Sequence, residues 1–356
     1  MTSTVPRLRD RLLRLAELAT TPLVPSDYLD ILNPLRAGAD LRGRIEEIRP
    51  ETRDAVTLVI RPGRGWRPHT PGQYVRIGVD VDGVRQWRAY SLTSPADRAD
   101  GRITVTVKAI PDGVVSNHLV RRARPGTVIQ LDQATGDFVL PAERPEKVLF
   151  ITAGSGITPV MGMLRSALGD QRDLGDIVLL HSAPTSQDVI FAGELRALRG
   201  RITLIELHTD TDGMLDVADL GKLVPDFAER ETWACGPTGL LDALQAHYTE
   251  RDLTLRTERF RPTVLVTGDG GTVTFANSNT VVSTDGTGPL LDAGEAAGVL
   301  MPSGCRMGIC FGCVVPLREG AVRDLRNGAL TTAAPGDGVR IQTCVTAAAG
   351  DCTIEL

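Results

Sequence analysis

At 356 residues with a net charge of −5, the chain is too long for one ordinary core, and a prior of roughly 100 to 200 residues per domain predicts two or three domains. Its 42% hydrophobic and 23% charged residues exclude a chain dominated by disorder, and its 37 glycines and 22 prolines predict many turns. The small negative balance gives no broad basic field, which excludes nucleic acid as the expected partner.

Residues 1–40 are expected to form an extension. Leu8, Leu12, Leu15 and Ala19 recur at helical spacing opposite Arg7, Arg9, Arg11 and Arg14, which predicts a short amphipathic helix. Pro22, Pro25 and Pro34 then break the pattern. Four arginines against Asp10 and Glu17 leave this helix a local balance of +2, suited to an anionic membrane surface, to a partner, or to packing on its own barrel. The same arginines interrupt the apolar run that a secretory signal needs. The apolar run Val148 to Ile151 is far short of the roughly 20 residues of a membrane-spanning helix. A soluble cytoplasmic monomer is expected, with at most peripheral contact with the inner face of the membrane.

Residues 41–143 shift to short β-rich runs at Val56 to Ile60, Tyr74 to Val79, Ile103 to Val107 and Val128 to Leu131. Asp82 and Gly83, between two such runs, are types that tolerate positive φ in a two-residue hairpin. An antiparallel β-barrel is predicted. Residues 144–260 alternate strand-like runs (Val148 to Ile151, Ile177 to Leu180, Ile202 to Ile205, Thr232 to Cys235) with helical stretches such as Pro159 to Leu168 and Gly193 to Leu198. That alternation predicts an α/β domain with a parallel sheet. Arg256 to Pro262 reads as a charged linker into a small domain over residues 261–356, with strands at Val273 to Phe275 and Thr280 to Val282.

Five of the six cysteines fall in that last domain, an unevenness that points to a local cofactor site in a reducing compartment. Cys305, Cys310 and Cys313 are spaced C-x4-C-x2-C, and Cys344 follows. Gly304, Gly308 and Gly312 let the intervening loop fold tightly and aim amide hydrogens at cluster sulfurs. Four cysteines also build structural zinc sites, but those usually pair C-x2-C knuckles. Cys352 stands outside the pattern and reads as a small buried residue. The run Ser303 to Cys313 resembles plant-type ferredoxins, and the resemblance covers about Thr263 to Leu356. It implies an α+β (β-grasp) domain in which Cys305, Cys310, Cys313 and Cys344 hold a 2Fe-2S cluster.

Arg88-Ala89-Tyr90-Ser91, followed by Gly113-Val114-Val115-Ser116-Asn117 and preceded by Pro71-Gly72-Gln73-Tyr74, resembles the R-x-Y-S and G-x-x-S elements of the ferredoxin-NADP reductase superfamily. Taken singly, each is an ordinary strand arginine or packed tyrosine. Together they imply a flavin site in which Arg88 neutralises phosphate, Tyr90 presents a ring face and Ser91 bonds the redox-active edge. Gly113 to Ser116 would hold the pyrophosphate at a helix start. Ala89, Lys108 and Val115 complete the set. The superfamily contains FAD and FMN members, and the G-x-x-S segment is more similar to the FAD branch.

Gly154-Ser155-Gly156-Ile157-Thr158-Pro159 joins a strand to a helix, so its amides can face a pyrophosphate. Proline replaces the third fingerprint glycine and suits a first helical turn. Cys235-Gly236-Pro237 resembles the C-G-P element that lies beside the nicotinamide in this superfamily, and Glu258-Arg259-Phe260 its junction segment. Phe260 then either covers the flavin or packs the linker. Tyr90, Ser91 and Cys235 are expected around hydride transfer. At the 2′-position, His181 to Ser186, with Ser182 as the contact, offers neither an acid nor an arginine, so NADPH and NADH both stay open, with a lean to NADPH.

The chain as a whole resembles reductase components of oxygenases and desaturases arranged flavin, nicotinamide, ferredoxin. That resemblance implies electron flow from NAD(P)H through FAD and a 2Fe-2S cluster to an outside protein. A hydride brings two electrons and a cluster takes one, so the flavin stands between them. Acceptors of this kind are di-iron desaturases or hydroxylases, Rieske-type oxygenases and haem-thiolate monooxygenases. A redox-sensing iron-sulfur binding protein and a scaffold without a cluster are the competing classes.

Overall fold

The computed structural model describes residues 33–36, 40–96, 98–111, 113–141, 143, 145–169, 175–260, 266–304, 306–308 and 311–356. The helix expected over residues 7–19 lies outside them. Three sheets follow one another along the chain, with one apolar core for the first and third and one on each face of the second.

The first sheet contains β1 (Arg42–Thr52), β2 (Ala55–Pro62), β3 (Tyr74–Val81), β4 (Val84–Ser91), β5 (Ile103–Lys108) and, after the helix α1 (Val114–Arg121), β6 (Val128–Leu131). Its order is β4-β3-β6-β1-β2-β5, and every pairing is antiparallel. Asp82 (φ 51°) and Gly83 (φ 82°) make the expected hairpin turn between β3 and β4, because both positions need positive φ there. Just past β4, Leu92 bridges Val105 and the Thr93 amide donates to the Thr104 carbonyl at 2.8 Å, so the two edge strands meet and the sheet closes as a barrel. Val56, Leu58 and Ile60 of β2 fill the barrel, whereas Ala55 joins the core of the next domain.

The second sheet is parallel, with β7 (Lys147–Ala153), β8 (Asp176–Ala183), β9 (Thr203–His208), β10 (Glu231–Cys235) and β11 (Leu255–Glu258) in the order β11-β10-β7-β8-β9. Helices α2 (Ile157–Gly169), α3 (Ala192–Ala197), α4 (Leu220–Leu223) and α5 (Thr238–Thr249) connect the strands. Both faces are covered: Val148 and Phe150 of β7 enter one core with Trp233, while Leu149 and Ile151 enter another with Leu241 and Tyr248. A strand buried on both sides reads as a continuous apolar run rather than an alternating one. The expected linker from Arg256 is corrected here, since Arg256 to Glu258 belong to β11 and pair with Trp233 to Cys235. Their charge misled because Arg256, at the sheet edge, bonds Glu231 and stacks 4.7 Å over the Trp233 ring.

The third sheet holds β12 (Gly271–Phe275), β13 (Thr280–Thr284), β14 (Val314–Asp324), β15 (Leu330–Ala333), β16 (Arg340–Gln342) and β17 (Thr346–Ile354), with α6 (Leu290–Ala296) after β13. The order is β13-β12-β17-β14-β15, with β16 on β14; β12 and β17 are parallel and the other pairs antiparallel. Leu290 and Leu291 of α6 bury into this sheet beside Phe275, Val322 and Cys352. A mixed sheet with one covering helix is the α+β arrangement expected for this segment.

Arg165 of α2 ties the first two domains together. Its Nη1 donates to the Thr93 carbonyl of the barrel at 2.7 Å, its other edge grips Glu194, and its guanidinium lies 4.8 Å from the Phe191 ring. Arg165→Met keeps the stem and removes the donors, and the expected loss is about 1 to 3 kcal/mol in urea unfolding followed by tryptophan fluorescence. Glu194→Gln, which disturbs only the half-exposed outer contact, is expected to cost less. Equal losses would show that the bond across the domain boundary carries no special weight.

Candidate functional site

Barrel and parallel sheet meet at one cleft of about 220 Å³. The end of β4 contributes Arg88, Ala89, Tyr90 and Ser91, and β5 contributes Thr106 and Lys108. Ile110, Gly113, Val115 and Ser116 come from the loop into α1 and its first turn; Ser155 comes from the turn between β7 and α2, Thr158 from the first turn of α2, and Phe260 follows β11. The flavin-motif residues and the first turn of the nicotinamide domain thus face one space. Thr106 and Ile110 were not anticipated, because nothing in the alternation of β5 says which of its faces looks toward α1.

Partial burial with no carboxylate partner distinguishes Arg88. Its guanidinium donates to the Trp87 carbonyl at 2.8 Å, and among the described residues no acid pairs with it. Burial pulls its pKa down to about 10, with the Arg306 charge as the next cause. Glu295 and Asp292 act on the same group in the opposite sense, so the third domain lies within electrostatic reach of the cleft. Burial raises the Tyr90 phenol above its ordinary value against a smaller pull from Arg88, which keeps this ring neutral. Lys108 is held by Asp54 at 2.8 Å.

The turn into α1 is pinned from inside: Asn117 Nδ2 donates to the carbonyls of Ile110 and Gly113, each at 2.9 Å, and Ser116 Oγ donates to the Gly113 carbonyl at 3.2 Å. No side chain caps the helix at Gly113, which leaves its first amides for another acceptor. A partly buried cation without an acid partner, beside an uncapped helix start, has the chemistry of a phosphate site, and the residues present fit a flavin nucleotide there.

Gly154, Gly156, Ser182, Cys235, Gly236 and Pro237 are not among the residues lining this cleft. They lie at the carboxyl ends of β7, β8 and β10. A Cβ on Gly156 would stand 2.0 Å from the Cys235 carbonyl oxygen, so only glycine lets the turn after β7 lie against Cys235 and Gly236. Ser182, at the end of β8, is buried opposite Ala153 and Leu207. Pro237 begins α5, again with no side-chain cap. Cys235 is buried, and its thiol is pushed well up by that burial and by Glu258, its neighbour across β11. The Glu258 carboxyl is itself raised to about 7 by burial and then by Asp137. In the sequence Glu258 reads as a junction residue, because the pairing of β11 with β10 that half buries it is not visible locally. Deeper in the sheet, His181 is neutral: burial lowers its pKa to about 4, and its Nδ1 lies 2.8 Å from Thr152 Oγ1.

In the third domain Cys313 and Cys344 are buried with their sulfurs 3.1 Å apart, beyond a disulfide bond and near enough to share a metal centre. Cys305 and Cys310 lie outside the described residues. The loop that carries the pattern bends through positive φ at Arg306 (59°), Gly308 (75°) and Phe311 (55°). Arg306 anchors one side of it to Asp292 and Glu295 of α6. The donor set and this winding fit a cysteine-held cluster, while Cys352 sits in the core of the sheet.

Three family models match the chain: an oxidoreductase FAD-binding domain over residues 68–140, an oxidoreductase NAD-binding domain over 150–245, and a 2Fe-2S iron-sulfur cluster binding domain over 273–349. An NADPH oxidoreductase of Mycobacterium tuberculosis is 49% identical over 354 residues, covering 96% of this chain and 91% of the relative. The ferredoxin reductase component of a 3-ketosteroid-9-alpha-monooxygenase from Mycolicibacterium smegmatis is 34% identical, covering 78% and 86%. Among solved structures, phthalate dioxygenase reductase matches in fold with a TM-score of 0.62, 21% identity, and coverage of 89% of this chain and 98% of that one. The chain is an oxidoreductase that uses FAD, a 2Fe-2S cluster and NAD(P)H, and it belongs to the ferredoxin-NADP reductase superfamily, in the branch whose members end in a 2Fe-2S domain.

Proposed function

We propose that this chain is the reductase component of a multicomponent oxygenase, hydroxylase or fatty-acyl desaturase, and that it draws on NADPH. The observation that carries the reading is Arg88, a partly buried cation with no acid paired to it among the described residues, at the mouth of a cleft shared by the first two domains. A bound flavin supplies the exchange between the two electrons of a hydride and the single electrons a cluster accepts. Arg88 and the amides of Gly113 to Ser116 would hold its phosphates, with Lys108 and its partner Asp54 at the rim. Tyr90 and Ala89 would flank its ring, Ser91 would hydrogen-bond its reactive edge, and Phe260, 39% exposed, would cover it until the coenzyme arrives.

The turn from Gly154 to Thr158 would carry the coenzyme pyrophosphate, with Cys235, Gly236 and Pro237 beside the nicotinamide and Ser182 toward the ribose. NADPH suits the end of β8, since the nearest following acid, Asp188, is engaged by Thr185 at 2.8 Å and by Arg53. The name of the 49% identical relative supports the same donor. Cys305, Cys310, Cys313 and Cys344 would ligate the two irons. Among the described residues no helix is long and apolar enough to cross a membrane. Residues 1–40 we assign to contact with the acceptor or with an anionic lipid surface beside it.

Glu258 holds its proton below about pH 7, which keeps the surroundings of Cys235 uncharged where a hydride would pass. Because folding raises this carboxyl above its ordinary 4.5, its stabilising contribution is whole below pH 4.5 and is lost as pH climbs through about 7. Glu258→Gln removes that titration. Its melting temperature, relative to the parent holoenzyme, is expected to climb steadily from about pH 5 to about pH 8 in scanning calorimetry. An offset that stays constant with pH would mean that the carboxyl is ionised throughout.

Removing one cluster ligand separates the steps. Cys344→Ser in the full chain is expected to keep flavin and NADPH-driven ferricyanide reduction within about twofold of the parent. Cytochrome c reduction should fall by at least about tenfold, because its electrons leave through the cluster. A cluster-free variant that reduced cytochrome c at the parent rate would overturn the order of electron flow.

A further inference from the structure

Arg326, just beyond β14, is gripped along one edge by Asp324. Its Nε donates to Oδ1 at 3.1 Å and its Nη2 to Oδ2 at 2.7 Å, while its own amide donates to Oδ1 at 2.9 Å. The other edge turns to the cysteine loop. Nη1 donates to the Gly308 carbonyl at 3.3 Å, and Nη2 to Gln342 Oε1 at 3.4 Å. Gln342 Nε2 donates to the same Gly308 carbonyl at 3.0 Å, so two side chains from separate segments converge on one backbone oxygen of the loop. A Cβ at Gly308 would lie 2.6 Å from Arg326 Nη1 and 2.8 Å from Val345 Cγ1, which shows how closely the guanidinium is seated. Asp324 is the main reason this guanidinium holds its proton so firmly, and Cys344 and Cys313 add to it, which places both sulfurs within reach of its charge.

We infer that Arg326 is a positioning residue for the cluster: it clamps the loop at Gly308 and fixes a positive charge beside Cys313 and Cys344, which makes the centre easier to reduce. This rests on the 2Fe-2S reading of the site. The step it favours is the gain of one electron, supplied from NAD(P)H by way of the flavin; no bond is made or broken, and Arg326 stays protonated. An added negative charge is stabilised by a fixed cation nearby, and net charge and hydrogen bonding around the sulfurs are among the levers that set such potentials. Asp324 orients the cation and partly offsets it.

The test is a redox titration of the full chain holding both cofactors, read by the electron paramagnetic resonance signal of the reduced cluster. Arg326→Gln is expected to lower the midpoint potential by at least a factor of ten in the one-electron equilibrium, about 59 mV. Arg326→Lys should recover at least half of the shift, since the charge returns without the fork. Asp324→Asn keeps the arginine and removes its offset, so its potential should move upward; should Arg326→Gln not retain its cluster, the sign of this shift decides. Midpoints of Arg326→Gln and Asp324→Asn that match the parent, with iron and sulfide content intact, would overturn the inference. A parent chain without two irons and sulfide would instead overturn the cluster reading beneath it.

Discussion

Arg88 is half withdrawn from water without being given a carboxylate among the described residues, and much of the site follows from that. A buried cation with an acid beside it is satisfied and inert toward ligands, whereas one without is a standing demand for an anion. Around it the cleft contains a neutral Tyr90, a serine at the strand end and an uncapped helix start, all of which favour an anionic, planar guest over a second protein surface. Arg88 also feels Arg306, Glu295 and Asp292 of the third domain, so cofactor site and cysteine loop share one electrostatic neighbourhood. For a chain whose task is to move single electrons between two centres, that proximity is the requirement that matters.

The parallel sheet meets the same requirement from the other side. Its order, β11-β10-β7-β8-β9, reverses direction beside β7, and the crevice at such a reversal is where ligands of open α/β sheets bind. The turn after β7 and the Cys235-Gly236-Pro237 segment after β10 border that crevice. Close approach of Gly156 to the Cys235 carbonyl joins them into one wall. Arg165 then holds α2 against the barrel, so that Ser155 and Thr158 reach the cleft lined by Arg88 to Ser91. No general acid or base is demanded by hydride transfer, and the titratable groups at this wall, Cys235 and Glu258, are held toward their neutral forms by burial.

The cysteine loop shows how a small domain spends its charged residues. Arg306 ties one flank to α6, and Arg326 with Gln342 holds the other through the Gly308 carbonyl. Positive φ at Arg306, Gly308 and Phe311 curls the backbone at and beyond these anchors. The ion pairs at the loop, Arg306 with Asp292 and Glu295 and Arg326 with Asp324, all lie within the third domain, so they fix the loop without relying on the relative placement of the domains.

Local patterns carried much of this protein. The cysteine spacing, the Arg88 to Ser91 and Gly113 to Ser116 segments, the Asp82-Gly83 hairpin and the change from β-rich runs to strand-helix alternation are all short-range signals, set by ligand geometry, backbone φ and side-chain periodicity. What they could not carry is anything decided by strand order or by distant segments meeting. The assignment of Arg256 to Glu258 to a fifth parallel strand, the burial of Glu258 beside Cys235, the entry of Thr106 and Ile110 into the cleft, and the convergence of Arg326 and Gln342 on Gly308 each require long-range pairing. A carboxyl looks the same in a linker and in a sheet until its neighbours are known. Desolvation is a property of the assembled structure, and it turned Arg88 from an ordinary strand arginine into the centre of a site.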